Sequence, residues 1–385
     1  MVYEPQEDSE LLAKRVIELA YGKVLDMGTG SGFQARAAAL SPLVRSVLAV
    51  DVDPKAVAFA KNVHPDKKIV FRVSNLFSKV DGRFDTIIFN PPYLPAEQGL
   101  KDRALVGGKR GYETICAFLK QAGDFLEPDG QILMVYSSLS RPAKIKECAD
   151  SLLFCIGDLD KRHQFFEDLF VVRITKSLVR NQLEKDAFRH LAYFARGKRG
   201  WIFTASYRGK KVAVKVKNPS SMAVSSIKHE AEMLKRLNKH GIGPRLVKAA
   251  DPYVAYEFVE GEFIMDFLDK ASSKQIKKVL HHVLDQCRTM DKTRISKEEM
   301  TRPLKHILID RADKPVLIDF ERAHATHRMH NVTQFCQFLS SPRVRFVLAS
   351  KKVVIDQKTI LEAAKMYSSN PSQKTFAAVL RLLND

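Results

Sequence analysis

The run Phe84-Asp85-Thr86-Ile87-Ile88-Phe89 has the apolar density of a strand buried on both faces, and it stops at Asn90-Pro91-Pro92-Tyr93. Two consecutive prolines lack the ladder N–H and fix φ, so no central strand continues through them. The chain must leave its sheet here on a rigid path, at the edge where open α/β sheets place their chemistry. An Asn held in such a turn can accept one hydrogen of a planar NH2 group while a nearby backbone carbonyl takes the other. The Tyr ring then packs on the flat face of that group. This geometry turns a nitrogen lone pair toward an electrophile. It suits amide-, aniline- or guanidine-like nitrogen, a poor nucleophile that gains most from orientation. Asn90 and Tyr93 are therefore the catalytic candidates, and Asn90, Pro91, Pro92 and Tyr93 the substrate-binding ones, against the alternative of an ordinary Asn-Pro turn.

The residues before this point build a nucleotide-binding half-sheet. Apolar positions at helical spacing over residues 9–21 precede a short strand, Lys23-Val24-Leu25-Asp26, which runs into Met27-Gly28-Thr29-Gly30-Ser31-Gly32. The glycines let backbone approach a ligand that a Cβ would exclude, and Phe33 to Leu40 supply the helix behind them. A second strand, Val47 to Val50, ends at Asp51, 23 residues after Gly28 and close to the spacing of about 20 at which an acid grips ribose hydroxyls. Asp53 reads as the N-cap of a helix starting near Pro54. Ile69 to Val73 forms a third strand leading to Asn75, which is placed to bond an adenine edge or to cap a turn. Pro128-Asp129-Gly130 precedes a strand over Gln131 to Tyr136, and Phe165 through Ile174 reads as a closing antiparallel strand.

Together with Tyr3-Glu4-Pro5-Gln6-Glu7-Asp8-Ser9, Asn90-Pro91-Pro92-Tyr93-Leu94-Pro95 and Gly107-Gly108-Lys109-Arg110-Gly111, these residues resemble the HemK-type, seven-stranded methyltransferases that use S-adenosylmethionine. The resemblance covers about residues 1–176 and is greatest to the eukaryotic and archaeal branch that methylates the glutamine of a class I release factor. It implies a doubly wound α/β sheet. Asp26, Gly28, Gly30, Asp51 and Asn75, with Asn90, would hold the cofactor, and Asn90 and Tyr93 the acceptor glutamine. Relatives usually carry Asp where this chain has Asn75. The resemblance also implies a small zinc-binding activator subunit as a partner.

The second half follows a different pattern. Residues 182–196 read as a helix with Leu183, Phe188, Leu191 and Ala192 on one face, giving a helical linker over 177–196. Alternation then gives a hairpin, Trp201 to Tyr207 and Lys211 to Val216, around Arg208-Gly209. A helix from about Ser226 to Lys239 carries Glu230, followed by a strand and hinge-like segment, Val254 to Gly261, that includes Glu257. Val316-Leu317-Ile318-Asp319-Phe320-Glu321 comes last. Residues 185–385 resemble the atypical, RIO-like or archaeal predicted Ser/Thr kinases, which implies an α+β bilobal domain with an N-lobe at about 197–256 and a C-lobe at about 262–385. By that resemblance Lys215 and Glu230 form the phosphate-binding ion pair, Glu257 lies at the adenine hinge and Asp319 binds magnesium. The stretch from Glu299 to His306 departs from the family: His306 falls at a metal-binding Asn, and Glu299 reaches the base position only with two inserted residues. An ATP- and Mg2+-binding pseudokinase is the alternative to an active kinase.

Charge divides along the chain. Residues up to 176 hold 24 Lys and Arg against 23 Asp and Glu, and the rest hold 39 against 21, so the net +19 lies almost wholly in the second half. That half is either a nucleic-acid-binding arm or a solvated lysine-rich surface. With the arm, the rival reading is N6-adenine methylation of RNA or DNA, because the same Asn-Pro-Pro-Tyr geometry accepts an adenine amino group. Cysteines 116, 148, 155, 287 and 336 show no paired spacing, and no apolar run approaches a membrane span. The expectation is a cytoplasmic, two-domain protein without a membrane segment.

Overall fold

The structure, a computed structural model, describes residues 5–96, 106–164, 166–197, 200–217, 227–328 and 330–383. Of the residues named above, Tyr3, Glu4, Phe165 and Ser226 lie outside the described residues. The chain divides into two compact units, Met1–Leu191 and Ala192–Asp385.

In the first unit the elements run α1 (Glu7–Leu19), β1 (Gly22–Met27), α2 (Phe33–Leu40), β2 (Val44–Asp51), α3 (Pro54–Val63), β3 (Ile69–Val73), β4 (Phe84–Phe89), α4 (Glu113–Phe125), β5 (Leu126–Ser137), α5 (Pro142–Asp150), β6 (Phe154–His163), β7 (Asp168–Lys176) and α6 (Leu178–Lys185). They form a seven-stranded sheet in the order β3-β2-β1-β4-β5-β7-β6. β1 to β5 pair in parallel, and β7 runs antiparallel to both β5 and β6. Strand order reverses between β1 and β4, whose last residues Met27 and Phe89 are register partners. The glycine turn and the Asn-Pro-Pro-Tyr loop therefore leave the sheet side by side, at its topological switch point.

The apolar runs of these strands are explained by helices on both faces. Successive residues of β4 enter different cores: Ile87 belongs to the one with Phe118, Leu119 and Ile145, and Ile88 to the one with Leu12, Val16 and Ala38. Burying such strands on both sides is the largest favourable contribution in a parallel sheet. Local signals set several boundaries. α3 starts at Pro54, with the Asp53 side chain accepting from Lys55 N at 2.9 Å. β6 is an addition to the sequence reading, and β7 does not close the sheet at its margin but inserts between β5 and β6.

A five-stranded sheet in the order β11-β12-β10-β9-β8 comes next along the chain, with β10 antiparallel to β9 and β12, and β11 antiparallel to β12. Its strands are β8 (Phe188–Arg196), β9 (Gly200–Tyr207), β10 (Lys210–Lys217), β11 (Leu246–Ala250) and β12 (Tyr253–Glu257), with α7 (Ile227–Asn238) between β10 and β11. A mostly helical part follows: β13 (Gly261–Phe263), α8 (Ile264–Lys270), α9 (Ser273–Lys292), β14 (Ile295–Ser296), β15 (Ile307–Asp310), β16 (Pro315–Leu317), β17 (His324–Ala325), α10 (Asn331–Leu339), α11 (Pro342–Ser350), α12 (Gln357–Ser369) and α13 (Gln373–Arg381).

The helix expected over 182–196 is corrected. α6 ends at Lys185, Ala187 takes φ +68°, and Phe188–Arg196 is a strand. A left-handed non-glycine residue ends the helix, and the aromatic-rich segment behind it gains a sheet edge to pair with. Tertiary pairing outweighs an apolar spacing that fits either structure.

Candidate functional site

The loop after β4 brings Asn90 and Tyr93 to a carboxylate in the first turn of α1. Asn90 Nδ2 donates to Asp8 Oδ2 at 3.3 Å and to Ser9 Oγ at 3.1 Å, and Tyr93 OH donates to Asp8 Oδ2 at 3.2 Å. The loop backbone is braced from behind. Gly107 N donates to Leu94 O at 2.9 Å and Ser140 Oγ to Tyr93 O at 2.8 Å. A Cβ at Gly107 would stand 2.3 Å from Pro92 O, so the Gly-Gly-Lys-Arg-Gly segment needs glycine there to lie against the proline turn.

These residues share one cavity of about 820 Å3 with the cofactor candidates. Its walls include Asp8, Gly28, Gly30, Asp51, Asn75, and Asn90 through Tyr93. Gly30 has φ +52° and nothing within 4 Å of where its Cβ would be, so backbone is presented to open space. Asp51 is oriented by two amides, Gly30 N on Oδ2 and Asp53 N on Oδ1, both at 2.9 Å. Asp26 lies beneath, 1% exposed, and accepts from Thr29 Oγ1 at 2.6 Å. Burial pushes its carboxyl up to about 7, with the Asp51 charge acting in the same direction against the Thr29 hydrogen bond. Asn75 is exposed at the cavity edge, and its backbone N–H is held by Ser78 Oγ at 3.2 Å. A bare-backbone cradle, an oriented carboxylate and a buried acid fit a nucleoside with a charged tail.

In the second unit, Lys215 on β10 meets three carboxylates: Glu230 on α7 at 2.8 Å, Asp319 at 2.9 Å and Glu321 at 3.1 Å. Glu230 is 2% exposed and Lys215 8%. Burial opposes the Lys215 ammonium, yet Glu230 and Asp319 together hold its pKa well above the usual lysine value. Oxygens of Glu230, Asp319 and Glu321 lie within 4.8 Å of one another, an arrangement able to hold a cation. Asp319 has φ +60°, so its backbone is held in the left-handed region. Behind it, the fully buried Lys297 donates to the Asp319 carbonyl and to Glu299 Oε2 at 3.3 Å, with its ammonium 4.9 Å from the Phe320 ring centroid. His306 feels the charges of Lys297, Glu299 and Asp319, and burial lowers its pKa. Glu257 stands apart from the carboxylates around Lys215, at the end of β12 and 3.9 Å from Lys210 Nζ.

Asp8, Ser9, Lys297 and Glu321 were not among the residues assigned roles from sequence. Asp8 and Ser9 were legible only as part of an opening motif, since 82 residues separate Asp8 from Asn90. The signal for Lys297 was its place two residues before Glu299.

Comparison with known proteins bears on the first unit. Residues 4–152 match the methyltransferase small domain family. A Methanocaldococcus jannaschii protein provisionally named protein N5-glutamine methyltransferase is 34% identical over 44% of this chain and 90% of its own length. Mouse methyltransferase HEMK2 is 31% identical over 37% of this chain and 75% of its own. The release factor glutamine methyltransferase of Koribacter versatilis is 36% identical over 34% of this chain but only 53% of its own length, so the chain spans about half of that longer relative. Among solved structures, the chain from the E. cuniculi Mtq2-Trm112 complex aligns over 46% of this chain and 99% of its own, at 23% identity and a TM-score of 0.38. No described helix is long and apolar enough to cross a membrane. Through its first unit the chain belongs to the family of S-adenosylmethionine-dependent methyltransferases that includes HEMK2 and the release factor glutamine methyltransferases.

Proposed function

We propose that the first unit methylates the side-chain amide nitrogen of a glutamine, and that its acceptor is a class I peptide chain release factor. The carrying observation is that Asn90 and Tyr93 line the same cavity as Gly28, Gly30 and Asp51, so an acceptor amide at the loop lies next to whatever the glycine turn holds. Gly28 and Gly30 offer backbone to the cofactor, Asp51 takes its ribose hydroxyls, Asn75 its adenine edge, and the buried Asp26, which does not line the cavity, backs the turn through Thr29. S-adenosylmethionine supplies a methyl group on sulfonium, an electrophile for which an aligned nucleophile suffices. Asn90 accepts a hydrogen of the acceptor amide, and the Tyr93 ring covers its planar face. The names of the relatives favour glutamine as acceptor.

Incubation with labelled S-adenosylmethionine and a release factor, its Gln→Ala variant and bulk RNA tests this reading. Label on the release factor alone, lost in the variant, is the expected result. Label on RNA instead favours adenine methylation. The small zinc-binding activator belongs to the same proposal. The outermost strand β3 leaves Val70 56% exposed and α3 leaves Phe59 and Val63 45% and 50% exposed, apolar surface that a partner would cover.

For the second unit we infer a kinase-like domain that binds ATP and Mg2+. Its support is the 2.8 Å Lys215–Glu230 pair next to Asp319, with Glu299 tied by Lys297 to the Asp319 carbonyl. Lys215 would meet phosphate oxygens, Asp319 the metal, the backbone around Glu257 the adenine, and Glu299 a hydroxyl proton. His306 offers an imidazole to the same metal.

A further inference from the structure

Asn90 presents its amide nitrogen to two acceptors, Asp8 Oδ2 and Ser9 Oγ, and its Oδ1 has no hydrogen bond among the described residues. Chemistry, not placement alone, dictates that orientation. Asp8 Oδ2 already accepts from Tyr93 OH, so a flipped amide would set oxygen against oxygen at a residue 4% exposed. The carboxylate is itself locked. Asp8 Oδ1 accepts from Ser9 N at 2.6 Å and from Ser9 Oγ at 3.2 Å, which leaves the Ser9 lone pairs for Asn90. Ser9 O in turn receives Gln34 Nε2 at 2.8 Å, fixing this turn of α1 to α2. Tyr93 OH donates to the same Asp8 oxygen that Asn90 uses, so one carboxylate grips both side chains of the loop.

We propose that Asp8 is a positioning residue for methyl transfer: it fixes the Asn90 amide with Oδ1 as the outward acceptor and pins the Tyr93 ring by its hydroxyl, before any acceptor arrives. The proposal rests on the acceptor-binding reading of Asn90 and Tyr93 given above. An acceptor amide approaching Asn90 offers only N–H donors on its nitrogen, so an oxygen must meet it; an Asn90 turned the other way would set donor against donor. Asp8 removes that unproductive orientation in advance. Catalysis gains because no reorganisation is left for the moment of reaction.

Two variants test this. Asp8→Leu keeps the volume and removes both carboxylate oxygens, leaving Ser9 Oγ as the acceptor for Asn90, whereas Asp8→Asn keeps one oxygen that can still accept from Asn90. The first readout is hydrogen exchange at the Asn90 side-chain amide, followed by NMR on asparagine-labelled protein and assigned with Asn90→Ala. In wild type this exchange is slow; in Asp8→Leu it quickens, and in Asp8→Asn it lies between. The second readout is methyl transfer to a release factor with calorimetry of S-adenosylmethionine. In Asp8→Leu kcat falls about 10- to 100-fold, while cofactor affinity and the far-ultraviolet spectrum stay at wild type and Asp8→Asn recovers part of the loss. Unchanged amide exchange with unchanged kcat in Asp8→Leu overturns the proposal. If wild type methylates no glutamine, the acceptor assignment falls, and the amide exchange, which needs no acceptor, still decides whether Asp8 sets Asn90.

Discussion

The Gly30 amide donates to Asp51 Oδ2 over 2.9 Å, tying the glycine turn after β1 to the carboxylate at the end of β2. With Asp53 N on Oδ1, both oxygens of Asp51 are held by backbone amides. On the proposed ribose role, replacing Asp51 with Ala removes a ligand, and it also takes away the acceptor of Gly30 N. S-adenosylmethionine affinity should fall by about 1–3 kcal/mol, the range of a charge-assisted hydrogen bond. Titration calorimetry decides it, and an unchanged affinity moves the ribose role to Asp53.

Asn90→Ala should show the opposite profile. Its side chain bonds Asp8 and Ser9, so on the proposed acceptor role it is the acceptor, not the cofactor, that loses its partner. Turnover should disappear while cofactor affinity holds near wild type. Loss of S-adenosylmethionine binding as severe as the loss of activity rules out an acceptor role for Asn90.

Asp26 gives stability a pH dependence with a definite sign. Burial raises its folded pKa from an unperturbed 3.8 to about 7, so between those values the folded chain keeps a proton that the unfolded chain has lost. Its contribution is full below the unfolded pKa and is lost as pH rises through about 7, with a slope of up to about 1.4 kcal/mol per pH unit. Asp26→Asn keeps an oxygen for Thr29 and abolishes the titration. Urea midpoints from pH 5 to 8 should fall more steeply for wild type than for the variant; parallel lines would mean that Asp26 titrates alike in both states.

Where the sequence was legible, the signals were short-range. Asp53-Pro54 marks the start of α3 because cap and fixed φ act within three residues, and Asn90-Pro91-Pro92 marks the end of β4 because proline cannot donate to a ladder. What stayed hidden depends on distant partners. Nothing near Asp168 states that β7 will insert between β5 and β6, and Phe188–Arg196 becomes a strand only because β9 offers it an edge. The candidate site divides in the same way. Asp51 and Asn90 declare themselves by local motif, whereas Asp8 and Glu321 gain meaning only when folding brings them to Asn90 and Lys215.

The last prediction concerns the second unit. Lys215 is the shared ion-pair partner of Glu230, Asp319 and Glu321. On the kinase-like reading, Lys215→Ala takes away a phosphate partner and leaves the carboxylates facing one another without it, and Asp319→Ala takes away a metal partner, so both variants should lose the ATP- and Mg2+-dependent rise in Tm. Glu299 accepts from Lys297 and is not one of the three carboxylates paired with Lys215. Glu299→Gln should therefore keep the nucleotide-dependent shift and lose only phosphate transfer, because an amide cannot take a hydroxyl proton. Thermal titration beside an autophosphorylation assay separates the outcomes. A shift with transfer that Glu299→Gln abolishes identifies Glu299 as the base. A shift without transfer in wild type makes the domain a nucleotide sensor, and the absence of any shift in wild type removes the kinase-like reading.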